Sequence, residues 1–246
     1  MQEIRMCIPN WFRSCSNEEE FYSSHYINLL SKKHKIIYDP INPQFIFSDS
    51  IAKECLNYDC VKILFSGENI RTDYNLVDYT LDYDYMDFGD RHLCVPLFYL
   101  LYNPLQYGTN SMDSKNRNID TQSLRQRNKF CAILVSNGGR KRTLFRNLAF
   151  EKLNAYKKVD SGGSWNNNIG YKVSAKITWL RNYKFNICFE NSSYPGYLSE
   201  KLYEAYISGC IPIYWGDTSL RCHIDSLESR PSNSATNMGG GGILHP

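Results

Sequence analysis

The chain has 246 residues, of which 42% are hydrophobic, and its 28 basic and 25 acidic residues give a net charge of +3. This apolar content excludes a chain that is disordered overall, and the length is enough for two small α/β domains or one large one. The balanced charge offers no broadly basic face, so we expect no nucleic-acid partner.

Residues 1–104 alternate between short apolar runs and patterns with helical spacing. The predicted elements are a strand over 4–8, a helix near 18–32, strands over 34–38 and 45–47, a helix near 50–55 and a strand over 61–65. Alternation of this kind favours a parallel sheet covered by helices. We therefore predict an α/β domain over residues 1–104.

A polar stretch separates this region from a second α/β pattern. Residues 105–128 are rich in Asn, Ser, Asp, Arg and Gln, which favours an exposed linker or loop. The elements predicted after it are a strand over 129–135, a helix over 142–154 with Leu144, Leu148 and Leu153 on or near one face, a glycine-containing segment over 159–164, a strand over 185–189, a helix from Ser199 to Gly209 and a strand over 211–215. We predict a second domain over 129–220 and an atypical, glycine-rich tail over 221–246.

The segment 184–217, KFNICFENSSYPGYLSEKLYEAYISGCIPIYWGD, gathers polar side chains where predicted strands meet a loop and a helix. Ser199 is a favourable helix N-cap, and Glu200 and Lys201 follow it in the first turn. The free N–H groups and partial positive charge of a helix start attract phosphate. The pattern indicates a nucleotide site, although Glu200 could simply complement the helix dipole and Lys201 could be a solvated surface charge.

A second junction follows the strand predicted over 61–65, where the sequence reads SGEN. Gly67 favours a tight turn that leaves Glu68 at the carboxyl edge of the sheet, which is where ligands bind in open α/β folds. Glu68 could equally cap the next turn.

In order, the chain carries FNICFENSS, YLSEK and IPIYWGD, and these segments resemble the donor motif of the α1,3/4-fucosyltransferases. The resemblance continues upstream through SGEN, through Asp78 and Tyr79, and through Asp90, Arg91 and Pro96. It implies an α/β fold with two Rossmann-like domains of the GT-B glycosyltransferase type. The tail over 221–246 does not resemble the family, so we expect the C-terminal domain to be incomplete.

The resemblance also implies a reaction, which is inverting transfer of fucose from GDP-fucose to the 3- or 4-hydroxyl of an N-acetylglucosamine-containing glycan. It assigns Glu68 as the general base that takes the proton of the attacking hydroxyl. The donor-binding residues that it implies are Arg146 and Lys201 for the leaving diphosphate, Glu200 for the ribose, and Asn191 and Tyr197 for the diphosphate and sugar region. Glu190 is interpreted as structural. Arg140 and Arg142 compete with Arg146, because a basic helix start also attracts phosphate.

The expected partners are GDP-fucose and an oligosaccharide acceptor of the N-acetyllactosamine type, with Trp11, Phe12 and residues 90–92 as candidate acceptor contacts. We expect no cofactor and no required metal, because two fixed cations can replace Mg²⁺ at the diphosphate. Asp82 and Asp84 spell a D-x-D sequence, which we interpret as coincidental because it lies outside the donor half. No apolar run could form a membrane anchor, so we expect a bacterial-type protein in the cytoplasm or peripheral at the cytoplasmic face of a membrane, or at the Golgi if the chain is a eukaryotic fragment.

Nine cysteines at irregular spacing, with no C-x-x-C pair, favour reduced thiols over a disulfide framework or a zinc site. Two other functions remain open on the sequence: a related glycosyltransferase with another donor, and a silent remnant or glycan-binding module.

Overall fold

The computed structural model describes residues 2–9, 17–49, 53–101, 121–138 and 144–220. Two parallel sheets form the frame, with strand orders β2-β1-β3-β4-β5-β6 and β10-β9-β7-β8. The first sheet contains β1 (Glu3–Cys7), β2 (Lys35–Tyr38), β3 (Phe45–Asp49), β4 (Val61–Phe65), β5 (Tyr79–Asp82) and β6 (His92–Cys94). The second contains β7 (Lys129–Ile133), β8 (Val159–Ser161), β9 (Tyr183–Ile187) and β10 (Ile211–Ile213). The predicted α/β class with two Rossmann-like units is confirmed.

Seven α-helices connect or cover these strands in the described part of the chain. They are α1 (Glu18–Ser23), α2 (His25–Leu30), α3 (Phe98–Leu101), α4 (Thr121–Gln126), α5 (Leu144–Tyr156), α6 (Lys176–Leu180) and α7 (Glu200–Ile207). Trp179 of α6 and Ala205 of α7 pack with Ala132 in one apolar cluster, and Phe150 of α5 packs with Ile133 in another. Adjacent residues of β7 thus face opposite clusters, so helices cover both faces of the second sheet.

Several predicted elements differ in extent from the observed ones. The helix near 18–32 is two helices, because Ser24 takes extended backbone (ψ 132°) and its N–H bonds to the Phe21 carbonyl. The described part of the helix near 50–55 is a 3-10 helix, Lys53–Asn57. Strands β5 and β6 were not predicted, and α4 lies inside the predicted linker. The segments 102–120 and 221–246 lie outside the described residues.

The predicted apolar face of α5 is wrong for two of its three leucines, since only Leu153 packs against the core. Leu144 and Leu148 are 65% and 47% exposed, whereas Arg146 and Phe150, four residues apart, face the protein interior. Arg146 is buried because its guanidinium reaches polar groups at strand ends, so this helix packs partly through hydrogen bonds.

The seven cysteines within the described ranges are free thiols that are buried or half-buried. Burial raises the pKa of Cys131 and Cys188 to about 12, so these thiols are protonated at neutral pH. Among the helices that the structure describes, none has the length and apolar character needed to cross a bilayer.

Direct contacts join the two α/β units. The rings of Phe98 in α3 and Tyr203 in α7 stack with centroids 4.9 Å apart. The Asn69 side-chain amide, just after β4, donates to Ser192 Oγ at 2.7 Å, and Ser192 lies in the loop between β9 and α7. These contacts hold the carboxyl ends of the two sheets against a common space.

Candidate active site

A cavity of about 440 Å³ lies at the carboxyl ends of strands from both sheets. Asp49 of β3 and Phe65 of β4 line one side, and Leu134 and Gly162, which follow β7 and β8, line the other. All six residues predicted for the site line this cavity: Glu68, Arg146, Asn191, Tyr197, Glu200 and Lys201. The fold therefore brings together residues that are as many as 133 positions apart, from 68 to 201.

The start of α7 is built around a buried carboxylate. Glu190 is fully buried and accepts hydrogen bonds from the Ser199 N–H at 2.9 Å and the Ser199 hydroxyl at 2.6 Å. Ser199 caps the helix by accepting from the Lys201 N–H. Lys201 Nζ donates to Glu190 at 3.2 Å and lies 3.4 Å from the Glu200 carboxylate. These contacts fit the interpretation of Glu190 as a structural residue.

The charges in this cluster stabilise one another. Burial acts to lower the pKa of Lys201, but Glu190 and Glu200 outweigh it and raise that pKa above its ordinary value. Burial likewise acts to raise the pKa of Glu200, yet Lys201 and Lys176 bring it below its ordinary value. Lys201 is thus a cation, and Glu200 an anion, at neutral pH.

Arg146 is a fixed guanidinium beside this cluster. It is 2% exposed, donates to the carbonyls of Asn137 and Phe189 at 2.9 Å each, and donates to Asn191 Oδ1 at 2.8 Å. Burial lowers its pKa, but an arginine starts so high that the charge remains. Its Nε has no hydrogen-bond partner within the described residues, which leaves one buried donor available to an anion. Arg140 and Arg142 lie outside the described residues.

Glu68 stands at the opposite wall. Its backbone carbonyl closes the turn after β4 by accepting from the Ile70 N–H at 2.7 Å and the Ser66 hydroxyl at 3.0 Å. The turn is thus held by the backbone of Glu68. Its carboxylate is exposed and, in the part of the chain that the structure describes, engages no hydrogen-bond donor.

The loop before α7 is held from both sides. Gly196 has φ +85°, and its N–H donates to Asp217 Oδ1 at 2.9 Å. Tyr197 is buried next to it, with its ring edge-on to Tyr83 at 5.1 Å. Burial, and then the charges of Glu190 and Glu68, raise the pKa of Tyr197, so its phenol keeps its proton and can donate.

The D-x-D carboxylates are both engaged in the first sheet. Asp82 accepts from the Thr72 hydroxyl at 3.1 Å and lies 2.8 Å from His92 Nε2, while Asp84 pairs with Arg71 at 3.0 Å. No group of three or more candidate metal ligands occurs among the described residues. Both carboxylates are thus engaged by side chains of the first unit.

Residues 90–92, expected as acceptor contacts, are not among the residues that line this cavity. Arg91 donates to the carbonyls of Val77 and Asp78, and His92 is buried against Asp82, so both stabilise the sheet and do not line the cavity. Trp11 and Phe12 lie outside the described residues. The cavity wall instead includes four residues that sequence reasoning missed: Tyr26, Asp49, Lys172 and Lys176. Asp49 could have been found by the signal that identified Glu68, which is a carboxylate close to the carboxyl end of a strand. It was missed because this strand was predicted over 45–47 and in fact extends to Asp49.

Comparison with known proteins gives two family matches in succession. The alpha-(1,3)-fucosyltransferase FucT N-terminal domain matches residues 11–102, and the C-terminal part of glycosyltransferase family 10 (fucosyltransferase) matches residues 124–226. Together they include every residue predicted for the site. The boundary between the matches falls in the segment predicted as a linker.

Curated relatives show the same similarity along most of the chain. The alpha-(1,3)-fucosyltransferase FucT of Helicobacter pylori is 31% identical over 250 residues, covering 88% of this chain and 51% of the relative. A putative fucosyltransferase of Acanthamoeba polyphaga mimivirus is 26% identical over 231 residues, covering 85% of this chain and 35% of the relative. The chain thus spans about half, or less, of the length of these relatives.

Solved structures share the fold. A crystal structure of an alpha1,3-fucosyltransferase with GDP-fucose matches with a TM-score of 0.68 at 28% identity, covering 89% of this chain and 70% of that chain. A second alpha1,3-fucosyltransferase crystal structure gives a TM-score of 0.71 with the same identity and coverage. The two-sheet architecture therefore has counterparts of known class.

Proposed function

This chain belongs to the alpha-(1,3)-fucosyltransferase family, glycosyltransferase family 10, and we propose that it transfers fucose from GDP-fucose to the 3- or 4-hydroxyl of an N-acetylglucosamine-containing glycan. The observation that carries the proposal is the composition of the cavity. Two held cations, Arg146 and Lys201, lie on one wall, and an exposed carboxylate, Glu68, lies on the other. An inverting transfer between a nucleotide diphosphate donor and a hydroxyl acceptor needs these two kinds of group on opposite sides of the reacting carbon.

The cations bind the diphosphate and stabilise the charge that grows on it. As the bond between the fucose C1 and the phosphate oxygen breaks, GDP leaves with an additional negative charge. Arg146 is already fixed by three hydrogen bonds and Lys201 by two carboxylates, so neither reorganises during the reaction. This preorganised charge supplies what a divalent metal supplies in other sugar-nucleotide enzymes.

Glu68 acts as the general base. The acceptor oxygen attacks C1 from the face opposite the diphosphate while its proton passes to the Glu68 carboxylate. The carboxylate is suited to this role because the described residues offer it no competing donor and because it is close enough to Tyr197 for its charge to affect that residue.

The remaining donor contacts come from side chains on the same wall as Arg146 and Lys201. Glu200 is held ionised and accepts from the ribose hydroxyls, and the protonated phenol of Tyr197 donates to the diphosphate and sugar region. Asn191 accepts from Arg146 through Oδ1, which leaves its amide N–H₂ to face the same region.

The test is GDP release from GDP-fucose with N-acetyllactosamine as acceptor, in EDTA. Glu68→Gln is expected to lower kcat by about a hundredfold or more while retaining GDP binding, since a general base contributes at least that factor. Glu151→Gln, at an exposed position of α5, is the matched control and should behave as the wild type. The proposal would be contradicted by a folded wild-type chain that binds GDP but forms no GDP from GDP-fucose with any acceptor glycan. Turnover with another sugar nucleotide would identify a different donor.

A further inference from the structure

Asp49 ends the strand next to the one that leads to Glu68. It is the last residue of β3, and it pairs in register with Phe65, the last residue of β4. Glu68 follows three residues later, and both carboxylates line the cavity. Because β3 and β4 are parallel, their carboxyl ends meet at one edge, and the two acidic side chains share one wall.

The two walls of the cavity differ in charge. The second unit contributes four cations, Arg146, Lys172, Lys176 and Lys201, against one carboxylate, Glu200, so its wall is positive on balance. The first unit contributes, among the residues that the structure describes there, two carboxylates and otherwise mainly apolar side chains: Tyr26, Asp49, Phe65, Glu68, Leu97 and Leu101. A diphosphate is repelled by a wall of this kind. A neutral sugar fits it, since hydroxyl groups donate to carboxylates and the C–H faces of the ring pack on apolar side chains.

The position of Asp49 is well supported by its surroundings. Tyr26 of α2 packs its ring against Phe47 of β3, at 5.1 Å between centroids. Ile46 and Ser48, on the same strand, are almost fully buried. Asp49 therefore projects from a rigid strand end, as a residue that must fix the orientation of a ligand should.

We propose that Asp49 is an acceptor-binding residue, which accepts a hydrogen bond from a hydroxyl of the acceptor sugar other than the one that attacks. This inference rests on the proposed function and deepens it, because it assigns the acceptor to the wall formed by β3, β4 and α3. One carboxylate, Glu68, takes the proton, and the other, Asp49, fixes the ring so that the correct hydroxyl faces C1.

The experiment compares Asp49→Asn with the wild type in steady-state kinetics, with GDP-fucose and N-acetyllactosamine varied in turn. The acceptor KM is expected to rise about tenfold, because the neutral amide oxygen of asparagine accepts a weaker hydrogen bond than the carboxylate does. The KM for GDP-fucose and the affinity for GDP should stay within about twofold of the wild type. Asp59→Asn is the control, because this exposed residue precedes β4 at the opposite edge of the same sheet.

Three results would overturn the inference. The first is an unchanged acceptor KM in Asp49→Asn. The second is a kcat lowered a hundredfold at unchanged acceptor KM, which would make Asp49 the base. The third is an equal loss of donor and acceptor binding. If Asp49→Asn does not fold, Asp49→Glu decides in its place, with a raised acceptor KM and an unchanged donor KM as the supporting result. A wild type that binds no GDP would refute the proposed function itself, which the GDP measurement detects separately.

Discussion

Replacing Arg146 with lysine separates the charge of this side chain from its geometry. Arg146 bridges the segments that follow two neighbouring strands, since Asn137 lies after β7 and Phe189 after β9, and it also orients Asn191. Lysine keeps the charge but has one nitrogen, which cannot reach both carbonyls and the amide at once. Two of the three hydrogen bonds are therefore lost, and at about 1.5 kcal/mol or more each the variant should be destabilised by about 3 kcal/mol.

The same change should weaken GDP binding by about tenfold, because a lysine cannot present the buried Nε–H donor that Arg146 leaves without a partner among the described residues. Urea denaturation gives the stability, and calorimetric titration with GDP gives the affinity. Arg181→Lys, at an exposed position beyond α6, is the control and should change neither. An Arg146→Lys variant as stable as the wild type, with GDP affinity within twofold, would refute the bridging role and the phosphate role together.

Two further predictions concern the stability of the fold and the loop between β9 and α7, which we call the donor loop. Burial acts to raise the pKa of Asp160, but hydrogen bonds, led by that from Tyr183, bring this pKa below its ordinary value of 3.8. The ionised carboxylate therefore stabilises the fold above pH 3.8, and this stabilisation is lost as the pH falls through the folded-state pKa. Asp160→Asn should therefore cost about 2 kcal/mol at pH 7 by urea denaturation, and this cost should shrink as the pH falls below 3.8; a cost that does not change with pH would contradict this. In the donor loop, Gly196→Ala should lower GDP affinity at least tenfold, because φ is +85° and an added Cβ would lie 2.3 Å from the Tyr83 carbonyl oxygen. Gly170→Ala, with φ +82° and open space around the Cβ, is the control, and equal effects of the two substitutions would exclude the clash as the cause.

Local sequence signals predicted the parts of the fold that depend on local chemistry. The strand over 61–65 and the helix that starts after Ser199 and stops at Gly209 were placed almost as observed. Each has a strong local cause: an apolar run in one case, and in the other an N-cap followed by a glycine with positive φ. Strands β5 and β6 have weaker signals, because polar residues such as Asp82 and His92 lie inside them and find partners only in the folded protein, where they contact each other and Asp82 also accepts from the Thr72 hydroxyl.

Nonlocal hydrogen bonding explains what sequence reasoning missed in α5. Leucine spacing predicted a face with Leu144 and Leu148, but the interior at this point offers carbonyl groups from the segments after β7 and β9. A buried guanidinium satisfies those carbonyls, and leucines would leave them without partners. The resemblance to a family identified Arg146, whereas apolar periodicity pointed to the wrong side of the same helix.

The SGEN sequence shows why both halves of the cavity depend on one turn. Glu68 provides the proposed base, and the next residue, Asn69, donates to Ser192 in the donor loop while accepting from the Tyr83 hydroxyl at 2.6 Å. Tyr83 in turn packs edge-on against Tyr197, one of the proposed donor contacts. Adjacent residues of one turn thus carry the base and anchor the loop that holds the donor. Because the reaction requires the base and the donor carbon to lie within about 3 Å of the same hydroxyl, fixing both from one turn makes their separation insensitive to small movements between the two sheets.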